Sequence, residues 1–311
     1  MSATAPSPAP GAKPAGRDGQ VIGIDLGGTA IKLGRFSRDG QLQARREYPT
    51  PRPSTPGAVC MLLAEAIAEL DPERLADRVG IGLPGPSDAA GRIARIAINL
   101  DGWEDVPLAD WLEPRIERPV ILANDANCAA LGELWGGAAQ GARDVLLLTL
   151  GTGVGGAVLL NGQLFTGRSG AAAEPGLITV NPEGPACHSG NRGSLEQYCS
   201  IRGLARLSPL PPPILCQKAR EGDPEALAAW SAYGRWLGIG LSSLVYVLTP
   251  ELVLLGGGLS AGFTYFLPAL QHELNARVLG VSREGMVIRR CALGNDAGQL
   301  GAVRLALDLL G

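Results

Sequence analysis

Apolar residues recur along this chain with two periods, and together these periods predict an alternation of strands and helices. Continuous or alternating apolar runs predict strands at 20–26, 30–36, 41–48, 78–83, 92–98, 119–123, 144–150, 154–160, 251–255 and 286–291. Helical spacing predicts helices at 57–70, 107–117, 223–248, 265–279 and 297–310, and another that starts near residue 126. Asp223 is the expected N-cap of the helix at 223–248, with Pro224 in its first turn. The prolines of 209–213 are expected to break the chain. This alternation indicates an α/β fold.

One local pattern, a strand followed by a glycine-rich turn and a second strand, occurs twice. The first turn reads Asp25-Leu-Gly-Gly-Thr29 and the second Gly151-Thr-Gly-Val-Gly-Gly156. Glycine has no β-carbon, so backbone N–H groups at such turns can approach an anion closely, and Thr29 adds a hydroxyl donor. An ordinary β-hairpin is the alternative for the first turn taken alone. The repeat predicts two similar domains that face a shared cleft, each presenting a phosphate-binding hairpin.

Asn124 and Asp125 stand between these two turns, at the junction of a predicted strand and a predicted helix. Both residue types are favoured as helix N-caps, so a simple cap is one explanation. The flanking glycine turns favour a phosphoryl-transfer site, with Asp125 as the base. Asp25, at the end of the first strand, is then expected to hold Mg²⁺ through water, because hard cations favour carboxylates.

Three further loops contain candidate binding residues. The rigid turn Pro84-Gly-Pro86 is expected to line a cleft, which makes Gly85 a candidate substrate contact. Asn99 follows as a second candidate in a polar loop, where an ordinary turn is the alternative. Gly256, Gly257 and Gly258 follow a strand and precede a helix, where they form either a tight turn or a surface for a purine and ribose.

Composition excludes several classes of protein. The chain has 311 residues, 46% of them hydrophobic, which is enough for two domains, and its net charge of −3 provides no basic field for nucleic acid. Apolar stretches are interrupted before they reach the length of a membrane span. Residues 1–19 are expected to form a disordered tail rather than a signal peptide, and six scattered cysteines favour free thiols in the cytoplasm. With only two histidines, a Ser-His-Asp hydrolase is not expected.

The order of these motifs resembles the ROK family (repressors, open reading frames and kinases) over nearly the whole chain after residue 19. The specific signatures are Asn124-Asp-Ala-Asn-Cys-Ala-Ala-Leu-Gly-Glu133 and Gly151-Thr-Gly-Val-Gly-Gly156. The resemblance implies an actin/hexokinase-like (ribonuclease H-like) two-domain ATPase fold with an inter-domain cleft. It implies a small domain of residues 20–123 plus 294–311, closed by the C-terminal helix, and a large domain of residues 124–293.

The resemblance also assigns roles to residues. It implies that Asp125 is the catalytic base, that Asn124 is a sugar ligand, and that Glu174 and Glu196 hold sugar hydroxyls. The residues implied to cradle the ATP phosphates are Gly27, Gly28, Thr29, Gly151, Thr152 and Gly153. Gly256, Gly257 and Gly258 are implied to contact the nucleoside.

The chain departs from the family pattern where members of the family bind zinc. Of the four family positions only Cys187 is retained; the others hold Leu177, Ser189 and Ser194. Serine is a poor zinc ligand and leucine is none, so we expect no structural zinc. No spacing in the sequence supports compensation by His188 or Cys199. The loss of the family histidine at position 177 also removes a usual sugar contact. In lacking the zinc cysteines, the chain resembles a cyanobacterial-type, glucokinase-like branch of the family.

These implications favour an ATP-dependent hexose kinase that acts on glucose, with Mg²⁺ and no zinc. Fructose, mannose and N-acetylmannosamine are alternative acceptors, and polyphosphate is an alternative donor. A non-catalytic sugar-binding regulatory protein is the alternative of another class. The stretch before the first strand is too short for the helix-turn-helix domain of the family's repressors, which argues against a transcription factor. The resemblance further implies a homodimer or homotetramer, and the composition favours a cytoplasmic protein with no nucleic acid or membrane partner.

Overall fold

Two five-stranded sheets with the same strand order form the frame of the molecule. The computed structural model describes residues 19–97 and 99–309. In the first sheet the order is β3-β2-β1-β4-β7, and its strands are β1 (Gln20–Leu26), β2 (Ala30–Phe36), β3 (Leu42–Pro49), β4 (Ala76–Leu83) and β7 (Val120–Asn124). In the second sheet the order is β10-β9-β8-β11-β12, and its strands are β8 (Val145–Leu150), β9 (Val154–Leu160), β10 (Gln163–Leu164), β11 (Leu252–Gly256) and β12 (Val287–Arg290).

The directions of the strands repeat as well as their order. In the first sheet, β1 pairs antiparallel with β2 and parallel with β4. In the second sheet, β8 pairs antiparallel with β9 and parallel with β11. The repeat predicted from the two glycine-rich turns is therefore a repeat of the whole sheet topology. A small separate hairpin of β5 (Ala94–Ile96) and β6 (Glu104–Val106) completes the strands that the structure describes.

The helices occupy both outer faces and the space between the sheets. They are α1 (Pro56–Leu70), α2 (Leu108–Ile116), α3 (Asp125–Gly136), α4 (Leu195–Cys199), α5 (Ile201–Ala205), α6 (Pro212–Arg220), α7 (Pro224–Leu248), α8 (Phe263–Arg277) and α9 (Ala297–Leu309). As the sequence predicts, Asp223 caps α7, where its carboxylate accepts from the backbone N–H groups of Glu225 and Ala226. Within residues 19–97 and 99–309, no helix combines the length and apolar character needed to cross a bilayer.

Alternation along the strands separates the buried residues into distinct cores. In β8, Leu146 and Leu148 belong to the core under α7 and α8. Their neighbours Val145 and Leu147 belong to the core around α3 and α9, which also takes residues from the first sheet. A third core lies between the first sheet and helices α1 and α2. Helices α3 and α9 therefore form the layer between the two sheets.

Glycines allow α9 to lie unusually close to its neighbours. A β-carbon at Gly80 in β4 would overlap the Ala302 carbonyl of α9, and one at Gly301 would overlap the Cys128 carbonyl of α3. This packing brings the start of α9 to the end of β1, where a β-carbon on Gly298 would lie 3.5 Å from the Asp25 carboxyl carbon. The central layer thus supports the junction at which the candidate site lies.

Three sequence-based predictions of structure need correction or restriction. The chain break predicted at 209–213 is confirmed only for its first part: Pro209 and Pro211 lie between α5 and α6, but Pro212 and Pro213 start α6, since proline fits the first turn, where its missing N–H is not needed. The strand predicted at 92–98 is reduced to Ala94–Ile96, and its last residue is outside the described residues. The predicted tail at 1–19 and the helix end at 310 likewise fall outside them, except for residue 19.

Candidate active site

The junction of β7 and α3 separates the roles of Asn124 and Asp125. Asn124 is the N-cap of α3, and its Oδ1 accepts from the backbone N–H groups of Ala126 at 2.8 Å and Asn127 at 3.3 Å. Asp125 is the first residue of the helix, and its Oδ1 accepts from Ala126 N–H at 2.7 Å. Helix capping therefore explains the presence of Asn124 in part. It does not require the Asp125 carboxylate, whose other oxygen remains available to act on a substrate.

Asp125 lies deep in a cleft but remains accessible to solvent. Burial among protein atoms raises its pKa to about 6, against the opposing effect of the Ala126 N–H and with a further increase from the Asp25 charge. Burial also raises the pKa of Asp25, while Lys32 lowers it. Lys32 is the partner of Asp25 in the β1–β2 register, a role that the sequence pattern did not suggest. A carboxylate with a pKa just below neutral suits a general base.

Asp25 and Asp125 line one cavity of about 410 Å³ together with the glycines at 256–258. Sequence reasoning missed several polar residues of its wall, which are Thr149, Ser260, Arg290 and Asn295, and also missed Cys291. Thr149 and Ser260 lie two residues from the glycine motifs, whereas Arg290, Cys291 and Asn295 come from a distant segment that carries no motif of its own. The cavity combines two carboxylates, a polar wall and a glycine-lined floor, which is suitable for a nucleotide with a bound cation.

The three glycines of this floor have different structural constraints. Gly257 has a φ of 79°, and a β-carbon there would overlap the Leu150 carbonyl oxygen. A β-carbon at Gly256 would lie 2.9 Å from the Cys291 sulfur, whereas one at Gly258 would meet no atom within 4 Å. Glycine is therefore required by the backbone at Gly257, while at Gly258 it keeps the surface open.

In each predicted phosphate turn, the N–H of the first glycine is held by an internal hydrogen bond. Gly27 N–H donates to Ala30 O, and Gly151 N–H donates to Gly153 O, each at 3.0 Å. Since the first glycine N–H of each turn is already paired, the following residues offer the donors for an anion. These residues, Gly28 and Thr29 in one turn and Thr152 and Gly153 in the other, are not in the lining of the cavity around Asp25 and Asp125.

Glu174 and Glu196 extend the group of carboxylates around Asp125. Burial raises the pKa of Glu174, and the charges of Asp125 and Glu196 raise it further. Glu196 Oε2 accepts from Val154 N–H at 3.1 Å, and a β-carbon on Gly153 would overlap the same oxygen. The second glycine turn and the Glu196 carboxylate are thus in direct contact, so an anion site and a polyol site would adjoin here.

Gly85 and Asn99, the remaining candidate substrate residues, have different surroundings. Asn99 is exposed beside the first turn, where a β-carbon on Gly28 would lie 3.4 Å from the Asn99 Cβ. Gly85 makes a close structural contact, since a β-carbon there would overlap the Ile96 carbonyl oxygen. Asn99 is therefore placed to reach a ligand at the turn, whereas the contact shown for Gly85 is with the β5 backbone.

The loop at 183–194 does not fit a structural zinc ion at the family positions, where one thiol is joined by two hydroxyls and the Leu177 side chain. Hydrogen bonds hold this loop instead: Asn191 Nδ2 donates to Leu177 O, and Asn181 Nδ2 donates to the Tyr198 hydroxyl, each at 3.0 Å. Tyr198 in turn stacks on Trp236 with ring centroids 3.9 Å apart. Packing and hydrogen bonding therefore supply the support that zinc would give.

His188 projects from this loop toward the carboxylates. Its Nδ1 lies 3.3 Å from Glu196 Oε1 and 3.9 Å from the Cys187 sulfur. Burial raises the pKa of the Cys187 thiol, but hydrogen bonds from Ser189 and Ser194 outweigh burial and leave the pKa below its ordinary value. Cys199, the other residue considered for compensation, is fully buried, and its carbonyl accepts from the Tyr233 hydroxyl at 2.8 Å.

A family model described as the ROK family matches residues 21–309. The chain belongs to the ROK family. A glucokinase from Halalkalibacterium halodurans is 36% identical to this ROK chain over 91% of its length and 94% of the relative. An N-acetyl-D-glucosamine kinase from Escherichia coli O157:H7 is also 36% identical, over 92% of this chain and 98% of the relative.

Solved structures give the same result for the fold. A ROK family glucokinase from Streptomyces griseus, determined in complex with glucose and AMPPNP, superposes with a TM-score of 0.80 at 32% identity. The superposition covers 93% of this ROK chain and 100% of that structure. The actin/hexokinase-like fold implied by the sequence motifs is confirmed.

Proposed function

We propose that this ROK protein is an ATP-dependent hexose kinase whose first acceptor is glucose. The observation that carries the proposal is Asp125: a solvent-accessible carboxylate at a helix start, with a pKa of about 6, in the same cavity as Asp25 and the glycines at 256–258. This arrangement combines a base, a cation ligand and a nucleotide surface. Relatives that carry the names glucokinase and N-acetyl-D-glucosamine kinase support the same class of reaction.

In the proposed reaction, Asp125 takes the proton of a sugar hydroxyl as that oxygen attacks the γ-phosphorus of ATP. The new oxygen–phosphorus bond forms while the bond from the γ-phosphorus to the bridging oxygen breaks, and ADP leaves. Little covalent chemistry falls to the protein, so its contribution is positioning and electrostatic stabilisation. The donors at Gly28, Thr29, Thr152 and Gly153 would hold the phosphates, and Gly256, Gly257 and Gly258 would hold the nucleoside.

Asp25 is the residue we assign to Mg²⁺, through water. Its carboxylate is half-buried beside Asp125, and such a pair of oxygen ligands suits a hard cation. When bound, Mg²⁺ would neutralise charge on the phosphates. Lys32, opposite Asp25 in the sheet, offsets part of the increase that burial causes in the Asp25 pKa, because a nearby positive charge lowers the pKa of a carboxyl.

For the sugar we assign Asn124, Glu174 and Glu196 as ligands, with Asn99 and Gly85 at the edge of the site. Asn124 Oδ1 is used by the helix cap, so its side-chain N–H groups are the part that would donate to a sugar. The Glu174 and Glu196 carboxylates would accept hydrogen bonds from sugar hydroxyls, and charge-assisted hydrogen bonds of this kind are about twice as strong as neutral ones.

N-acetylglucosamine is a second candidate acceptor, because relatives named for that activity are as similar to this chain as those named glucokinase. The test is kcat/KM for glucose, N-acetylglucosamine, fructose, mannose and N-acetylmannosamine with MgATP, and with polyphosphate as donor. A kcat/KM highest for glucose with ATP supports the proposal. A higher kcat/KM for another sugar would identify that sugar as the acceptor and leave the proposed mechanism unchanged.

We further expect a cytoplasmic homodimer or homotetramer that binds neither nucleic acid nor membranes, and a domain division at residues 123/124 and 293/294. The alternative of another class is a sugar-binding regulatory protein without turnover. It predicts a melting temperature that rises with a sugar while no ADP appears. The cavity with both carboxylates is the observation that favours the kinase.

A further inference from the structure

Three residues beside the proposed sugar site bring their metal-ligating atoms together. The sulfur of Cys187, a ring nitrogen of His188 and a carboxylate oxygen of Glu196 all lie within 4.8 Å of one another. Nδ1 of His188 is 3.9 Å from the sulfur and 3.3 Å from Glu196 Oε1. Around a tetrahedral zinc ion, sulfur and nitrogen ligands are separated by about 3.6 Å, and nitrogen and oxygen ligands by about 3.4 Å. The two separations from His188 need only small adjustments to reach these values, and the sulfur and the carboxylate oxygen lie within 4.8 Å of each other.

The set differs from the family-type position, which here would need Leu177, Ser189 and Ser194 as ligands. Only Cys187 is common to both. A second observation points into the same space: the Ser194 hydroxyl is fully buried, hydrogen-bonds to the Cys187 sulfur and has no other partner among the described residues. Donation from this hydroxyl would support a Cys187 thiolate bound to an ion, as hydrogen bonds to the ligands of metal sites commonly do.

We propose that Cys187, His188 and Glu196 form a site for one divalent ion of the zinc type. Thiolate, imidazole and carboxylate are the three ligand types that such ions take, and three protein ligands leave a fourth position open. The His188 side chain is 53% exposed, so the ion can enter and leave from solvent. The site is therefore an exchangeable one and is not required for holding the loop, which has its own hydrogen bonds.

Occupancy of this site has a consequence for the sugar, and this step rests on the proposed function. Glu196 Oε2 is held by Val154 N–H, so Oε1 is the oxygen that either the ion or a sugar hydroxyl would take. The ion and a sugar hydroxyl cannot both bind Glu196 Oε1 at the same time. The ion and the hexose therefore compete, and zinc would act as an inhibitor that excess hexose relieves.

The test is titration of the reduced, EDTA-treated protein with Co²⁺, followed by its thiolate-to-cobalt charge-transfer absorption, and with Zn²⁺ in competition. Wild type is expected to bind one ion with this band. Cys187→Ser should lose the band, and His188→Gln should weaken binding by about 10-fold or more. His272→Gln, a change of the only other histidine of the chain, is the matched control and should bind as wild type does.

Absence of the band in folded wild type, or equal affinity in the His188→Gln and His272→Gln variants, would overturn the site. Neither result depends on kinase activity, so a failure of the proposed function is seen separately in the hexose assay. The competition is measured by repeating the Co²⁺ titration with saturating glucose. Weaker Co²⁺ binding supports it, and Co²⁺ binding that no hexose changes would refute the competition while leaving the ion site in place.

Discussion

Replacing Asp125 by asparagine removes the proposed base while it keeps the size and the hydrogen bond to Ala126 N–H. Loss of a general base lowers turnover by about 10²–10⁴-fold, which is about 3–5 kcal/mol of transition-state stabilisation. The wild-type pKa of about 6 adds a pH signature. Because the base must be ionised, wild-type kcat/KM should fall below pH 6, and the residual activity of the variant should lose this acid limb.

The same substitution makes a prediction about stability whose sign follows from the pKa. Burial raises the pKa of Asp125 from 3.8 to about 6, so the folded chain binds this proton more tightly than the unfolded chain. Stability is then lost as the pH rises from about 4 to about 6, and the loss persists above pH 6. The full shift equals about 3 kcal/mol, but water reaches this carboxylate, so we expect about 1 kcal/mol. Asp125→Asn should therefore melt about 2 °C above wild type at pH 8 and gain nothing at pH 4.

The assay is coupled ADP release between pH 5 and 9 together with thermal melts of the same samples. Asp223→Asn is the matched control, since Asp223 caps α7 away from the cavity and asparagine is an equally good cap. That variant should keep wild-type turnover. Turnover of Asp125→Asn within threefold of wild type, or an acid limb that survives in it, would refute the assignment of the base.

Three other substitutions test the surrounding assignments. Gly257→Ala places a side chain at positive φ against a carbonyl, so it should raise the KM for MgATP and cost about 1–3 kcal/mol of stability in a urea titration. Gly258→Ala, whose side chain meets open space, should cost far less stability in the same titration. Gly153→Ala displaces the Glu196 carboxylate and should raise the KM for glucose by about 10-fold or more; an unchanged KM would separate that carboxylate from the sugar. Glu174→Gln should raise the KM for glucose by about 10-fold and leave the KM for MgATP unchanged, and equal changes in both would contradict its role as a sugar ligand.

Local patterns were sufficient to predict the frame of the fold. The two strand–glycine–strand units predicted a duplicated architecture because apolar periodicity and turn chemistry act over a few residues. Asp223 followed by Pro224 predicted the start of α7 for the same reason. The start of α6 was misjudged because Pro212 was interpreted only as a helix breaker, although proline is compatible with the first helical turn.

The site was only partly predictable, because its wall is assembled by the tertiary fold. Arg290 and Asn295 reach the cavity from segments at β12 and just before α9, and no local pattern marks them. Likewise, the contact of His188 with Glu196 depends on how the loop folds back: bridges pair Ala186 with Arg192 and Thr179 with Ser194. Residue spacing along the chain does not show how a loop folds back, so the sequence provided no support for a metal-binding role of His188.

The measurement that tests the central claim most directly is hexose-dependent ADP release by the purified 311-residue chain with MgATP. The account predicts that glucose starts ADP release, that one glucose 6-phosphate forms for each ADP, and that ATP without sugar is hardly hydrolysed. A chain whose melting temperature rises with glucose, but which releases no ADP with any hexose, would contradict the account and identify a sugar-binding protein instead.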